Sequence, residues 1–250
     1  MQRIDFWRKL YIHGYKITLC FLFVAGSATK AFAQPQEQKM HGIYTGPVNL
    51  PYYDKKLFHF GFTIGINTTR LAPTPSKQYF ANDTITSIQS KFNGGFSLGF
   101  IVNYRLSDYW DLRLLPTVAF YERDVMFNEK LNGTIVEPNE SAFIELPLLV
   151  KYKSQRRSNS RMYMVGGVKP GIETGAKKKE KPNTDLRLNS FDFAVDYGVG
   201  LDIYYPLFKF SPEIRISHGL YNMLIHDPNA YSQSLLKLTT HTITLYLHFE

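Results

Sequence analysis

From Leu57 onward, apolar and polar residues take turns along the chain. Phe58, Phe60, Phe62, Ile64 and Ile66 share one face, and His59, Gly61, Thr63, Gly65 and Asn67 share the other. A period of two is the signature of a β-strand, whose successive side chains point to opposite sides. The pattern recurs over 92–105, 111–121, 141–152, 191–203, 208–217 and 242–249. In the stretch 191–203, Phe191, Phe193, Val195, Tyr197, Val199, Leu201 and Ile203 alternate with Asp192, Ala194, Asp196, Gly198, Gly200 and Asp202. A further strand is expected over 161–171, although Met162, Tyr163, Met164 and Val165 are apolar on both faces.

These segments predict eight strands. Each is close to or above the ~9–11 residues that cross a bilayer at a tilt, and longer than the ~5–6 residues usual in soluble sheets. The connections alternate in length. Short ones run through 107–109, 154–160 and 205–207, and long polar ones through 68–90, 125–140, 173–188 and 218–239. Short turns on one side and long loops on the other describe an eight-stranded antiparallel transmembrane β-barrel with periplasmic turns and extracellular loops. Closure is required, because an open sheet edge in lipid leaves backbone groups unpaired. Pro116, Pro147 and Pro212 fall inside strands and mark expected bulges or breaks.

The N-terminus has a different pattern. Arg3, Arg8, Lys9 and Lys16 precede an apolar run from Ile17 to Ala25, and Ala31-Phe32-Ala33 follows. This reads as a Sec-type signal peptide over 1–33, cleaved between Ala33 and Gln34. The apolar run is about half of the ~20 residues that a spanning helix needs. Residues 34–56, with Pro35, Pro47 and Pro51 and no clear period, predict an extended periplasmic arm. The barrel domain occupies 57–250.

Composition sharpens this picture. Aromatics make up 15% and charged residues only 20% of the chain, which suits strands facing lipid. The formal net charge of +8 is half accounted for by the signal segment, so nucleic-acid binding has little support. The single cysteine, Cys20, lies within that segment, which removes disulfides, zinc thiolates and cysteine nucleophiles from the mature chain.

A barrel of eight strands is filled by its inward side chains. Arg105, Arg113, Glu145, Asp192, Asp196, Asp202, Glu213 and Arg215 are expected to point inward, with Asp111, as a structural network of ion pairs. No catalytic, cofactor or metal residues are predicted. His59, His218, His226, His241 and His248 are scattered, and no serine or aspartate stands at a spacing that fixes a triad. There is no Gly-x-Ser-x-Gly elbow, phosphate loop or metal-ligand spacing. The run Lys177-Lys178-Lys179-Glu180-Lys181 reads as solvated loop, and Asn67-Thr68-Thr69 and Asn132-Gly133-Thr134 receive no role.

Several segments resemble a known family. They include Asn49-Leu50-Pro51-Tyr52-Tyr53-Asp54, His59 to Asn67, Leu112-Arg113-Leu114-Leu115-Pro116 and Glu145 to Ser154. Tyr197 to Asp202, Lys209 to Ile214 and the ending His248-Phe249-Glu250 complete the set. Together they resemble the PorT family of outer-membrane β-barrels in the Bacteroidetes type IX secretion system. The Pro-x-Leu-x-Val and Tyr-Gly-x-Gly pieces are common to the wider barrel family, whereas 49–67 and the Lys209 segment are more specific. The resemblance implies a non-enzymatic barrel needed for export of sorting-domain proteins, working with other type IX secretion components. The alternatives are a general small barrel, serving as a narrow pore or structural adhesion protein, and an outer-membrane hydrolase. Outer-membrane lipid is the expected surrounding, with no small-molecule substrate and no cofactor.

Overall fold

The computed structural model describes residues 48–76, 85–129, 133–137, 140–174, 188–225 and 230–250. The predicted cleavage site at Ala33 and Gln34, most of the predicted arm, the lysine run at 177–181, Asn132 and His226 lie outside them.

The strands are β1 (Phe58–Pro75), β2 (Ile85–Ser90), β3 (Asn93–Arg105), β4 (Trp110–Leu114), β5 (Thr117–Glu122), β6 (Val125–Glu129) and β7 (Gly133–Glu137). They continue with β8 (Glu140–Glu145), β9 (Leu148–Lys153), β10 (Ser160–Glu173), β11 (Phe191–Tyr204), β12 (Lys209–Gly219) and β13 (Leu235–Phe249). Ten of them form one antiparallel sheet that closes through β1 pairing with both β3 and β13. The sheet has eight walls, because β4 and β5 are one wall interrupted at Pro116, and β8 and β9 are one wall interrupted at Pro147. A proline has no N–H to give the ladder. The neighbouring groups keep the wall joined: Leu115 N donates to the Pro147 carbonyl at 3.0 Å, and Phe100 N to that of Pro116 at 3.0 Å. Pro212 lies within β12 without a break.

The register sets the barrel's shape. Partner pairs lead from Phe58 through Tyr104, Leu112, Val150, Gly166, Tyr197, Ile216 and Ile243 back to β1 at Thr68, a stagger of ten residues. Eight walls with that stagger tilt by roughly 40°. Every residue in this circuit faces outward. The even stagger lets the apolar face meet itself at closure, since a one-residue slip would exchange inside and outside.

Phe60, Phe100 and Met162 are 68–70% exposed on the outer wall, while His59, Ile101, Arg161 and Tyr163 beside them are buried. This resolves the ambiguous stretch: in β10, Arg161, Tyr163 and Val165 face inward, and Met162 and Met164 face outward. Tyr163 fills the lumen by lying across Gly200, where any added Cβ would collide with its ring.

Two of the predicted polar loops contain further strands. β2, β6 and β7 pair as a separate three-stranded sheet at the long-loop end. β1 itself runs on to Pro75, past the expected end near Asn67. Backbone pairing persists beyond the apolar stretch there, with β-branched residues such as Thr68 and Thr69 along it. Within the barrel at this end, Leu71, Ala119, Tyr121 and Phe143 of the walls pack with Leu188 and Met223 from the connections.

Candidate functional site in the barrel lumen

The inward faces of the walls carry an ion-pair network concentrated toward the short-turn end. Its first centre is Asp202 on β11. Lys151 donates to both carboxylate oxygens at 2.8 Å, Arg161 Nε to one at 2.9 Å, and the Ser211 hydroxyl to the other at 2.7 Å. The second centre is Arg113 on β4. It reaches Glu213 of β12 and Glu250, the final residue, both at 3.1 Å. Glu213 also accepts from Arg215 and, at 2.9 Å, from Tyr163. Glu250 is shared with Lys209 at 2.7 Å and with the Tyr53 hydroxyl at 3.0 Å. Arg113, Lys151, Asp202 and Glu213 are each at most 1% exposed, although they come from four different walls. Charges removed from water this completely are tolerable only when paired and hydrogen-bonded.

Further toward the long loops, Lys169 lies 3.1 Å from Glu145, which also accepts from the Tyr121 hydroxyl at 2.7 Å. Asp192 accepts from Thr240 at 2.8 Å. Arg123 sits among aromatic rings, 4.4 Å above Tyr121 and 4.8 Å above Phe143.

The short-turn mouth is covered by the residues just before β1. Tyr53–Lys55 form a single 3-10 turn. Asp54 receives Arg161 at 2.9 Å and the Tyr204 hydroxyl at 3.1 Å. Burial would raise the Asp54 pKa, but Arg161, the Tyr204 hydrogen bond and Arg156 outweigh it and hold the carboxyl below its usual range. Asn49 bonds Asn159 and the Tyr204 carbonyl, at 2.9 and 3.0 Å, and Arg156 grips the Asn49 carbonyl.

Of the residues expected in the lumen, Arg113, Asp202, Glu213 and Arg215 come together in one network. Asp196 approaches Arg215 at 3.8 Å, and Glu145 and Asp192 stand in separate groups. Arg105 is elsewhere: it pairs with Asp108 in the exposed turn, where its strand leaves the barrel. Asp111, also expected inward, pairs with Lys153 at 2.6 Å and accepts from Asn103 at 3.1 Å. Sequence reasoning did not select Lys151, Lys153, Arg161, Lys169, Lys209, Asp54 or Glu250. Of the cations among them, Lys151, Lys153 and Lys209 lie on strands with clear alternation, so their inward parity was the available signal, whereas Arg161 and Lys169 lie on β10, where the pattern is mixed.

The histidines bond separately. His59 contacts the Tyr53 carbonyl at 2.8 Å, His248 approaches Glu213 at 3.3 Å, and His218 and His241 face each other on the outer wall.

Comparison with known proteins agrees with this architecture. A family model described as "Outer membrane protein beta-barrel domain" matches residues 32–224. No curated protein matches the sequence. Among solved structures, OprG of Pseudomonas aeruginosa is 14% identical, with 77% of this chain aligned to 91% of that one and a TM-score of 0.41. Neisserial surface protein A is 10% identical, over 77% of this chain and 98% of that one, with a TM-score of 0.40. Ail of Yersinia pestis, in complex with the heparin analogue sucrose octasulfate, is 14% identical, over 78% and 98%, with a TM-score of 0.35. At this degree of likeness none of them lends this chain a role. The family match spans most of the chain and seven of the eight walls, and the protein belongs to the outer membrane protein beta-barrel domain family.

Proposed function

We propose that this outer-membrane protein is a non-enzymatic structural barrel that does not conduct, and that works through its surfaces rather than its lumen. The filled interior carries this reading. A column of water through the barrel would wet Arg113, Lys151, Asp202 and Glu213, yet each is at most 1% exposed. The Asp54 cap covers the same end from the periplasm. Export is expected through the signal peptide ending at Ala33, with Gln34 as the first mature residue. The purified protein in planar bilayers should give no stepwise conductance; regular unitary openings would overturn the reading in favour of a narrow pore.

A more specific role is favoured by one segment. Asn49 to Asn67 carries much of the resemblance to the type IX secretion family, and its first part forms the periplasmic cap. The cap presents Tyr52, 70% exposed, together with Lys55 and Lys56, toward the periplasm. On this reading the barrel is an accessory component of type IX secretion that contacts other components through the cap. A filled eight-walled barrel cannot pass folded cargo, so a larger barrel must serve as the conduit. A clean deletion should strand sorting-domain proteins in the periplasm. Normal secretion in that strain would remove this role and leave the general structural barrel.

A further inference from the structure

The outer wall is apolar along most of its height, and the residues that end the apolar rows converge at one place. On β1 the outward residues run from Phe58 to Ile66, then Thr68, then Arg70. On β12 they run through Phe210, Pro212, Ile214 and Ile216 to His218, and on β13 from Phe249 through Leu247, Leu245 and Ile243 to His241. The register sets Arg70 directly opposite His241, and His241 opposite His218. Three adjacent walls therefore present their first outward titratable groups side by side. From Phe58 to Thr68, at ~3.3 Å per residue and a tilt of ~40°, the apolar rise is about 25 Å, the height of the lipid-facing band in such barrels. Arg70, His218 and His241 thus stand at the headgroup level of the outer leaflet.

The side chains are organised. The Tyr197 hydroxyl lies 2.8 Å from His218 Nε2, and His218 Nδ1 lies 2.8 Å from His241 Nδ1. With Tyr197 donating, neutral His218 carries its proton on Nδ1 and donates it to His241, which then keeps its own proton on Nε2. Among the described residues no acceptor meets that N–H. Arg70 rests its guanidinium over the Phe92 ring at 4.7 Å, and among the described residues it meets no carboxylate. Stacking on an aromatic face leaves the N–H fork of an arginine available. A guanidinium and an imidazole on directly opposed residues of neighbouring strands suit a tetrahedral oxyanion between them, because charge-assisted N–H···O bonds to phosphate are short and strong.

We propose that Arg70 and His241, positioned by His218, Tyr197 and Phe92, bind a phosphate group on the headgroup of an outer-leaflet lipid. The acyl chains of such a lipid would lie along Ile66, Ile243 and Ile216, directly below on the same walls. The site tethers one lipid to one flank of the barrel and is separate from the lumen and from the periplasmic cap.

Native mass spectrometry of the protein in neutral detergent tests this. The probes are a monophosphorylated diglucosamine lipid, its dephosphorylated counterpart, and sodium phosphate. The phosphorylated lipid should form a one-to-one adduct, weakened about tenfold by loss of its phosphate or by Arg70→Gln with His241→Gln. Arg157→Gln, at the opposite end, should leave the adduct unchanged. The heat-dependent gel shift of folded barrels verifies each variant, and Arg70→Gln alone, which removes the stacking on Phe92, serves should the double variant fold poorly. Equal binding of the two lipids, or an unchanged adduct in the Arg70 variants, would overturn the proposal. Competition by inorganic phosphate at the lipid's own concentration would also overturn it, by making this a free-anion site.

Discussion

Replacing Arg113 with leucine should cost about 3–5 kcal/mol of stability, read from equilibrium unfolding in urea out of lipid vesicles. Arg113 bridges two carboxylates, Glu213 and Glu250, each 3.1 Å away, and its Nε donates to Asn103 at 3.4 Å. Leucine would leave both carboxylates in the lumen with one fewer cation. Glu213 keeps Arg215 and Glu250 keeps Lys209, so the loss falls toward the lower end of that range. Arg113→Lys supplies one compact charge that cannot span both acids, and should lose less than leucine but more than nothing. Pairing Arg113→Leu with Glu213→Gln should recover part of the loss, because one uncompensated charge is removed with its partner. By contrast, Arg105→Ala, which opens an exposed pair with Asp108, should cost below about 1 kcal/mol. An Arg113→Leu protein as stable as the parent would mean that the lumen charges are hydrated rather than locked together.

Much of this fold was legible because lipid and lumen impose opposite demands on alternate residues. β1 shows this: Phe58, Phe60, Phe62, Ile64 and Ile66 are exposed to lipid, while His59, Thr63 and Asn67 are buried inside. Alternation gives only a side chain's parity, however. Which acid meets which base depends on the ten-residue stagger around the barrel, and no single strand reveals that. Lys151 and Asp202 are an example, lying in β9 and β11 with β10 between them. Glu250 was harder still, since it follows the last alternating residue and turns into the lumen through Lys209 and Arg113. The segment around Asp54 has no period at all; its 3-10 turn is held by contacts to Tyr204 and Arg161, far away in sequence. The outward cluster at Arg70, His218 and His241 escaped notice because the histidines look scattered until β1, β12 and β13 are set side by side.

The central claim is that the exposed apolar rows of the barrel face lipid, and the most direct test is the depth dependence of a single buried charge. Ile64 lies midway along the outward face of β1 between Phe58 and Arg70, and Leu57 lies just before the strand, at the periplasmic rim. An arginine at the bilayer midplane costs about 2–4 kcal/mol in such barrels, falling to about 0–1 near the interfaces. Unfolding from phosphatidylcholine vesicles should therefore show Ile64→Arg less stable than the parent by about 2–4 kcal/mol, and Leu57→Arg nearly unchanged. If the two substitutions cost the same, or if Ile64→Arg is tolerated like a solvent-exposed position, the apolar rows do not face a bilayer and the account is contradicted.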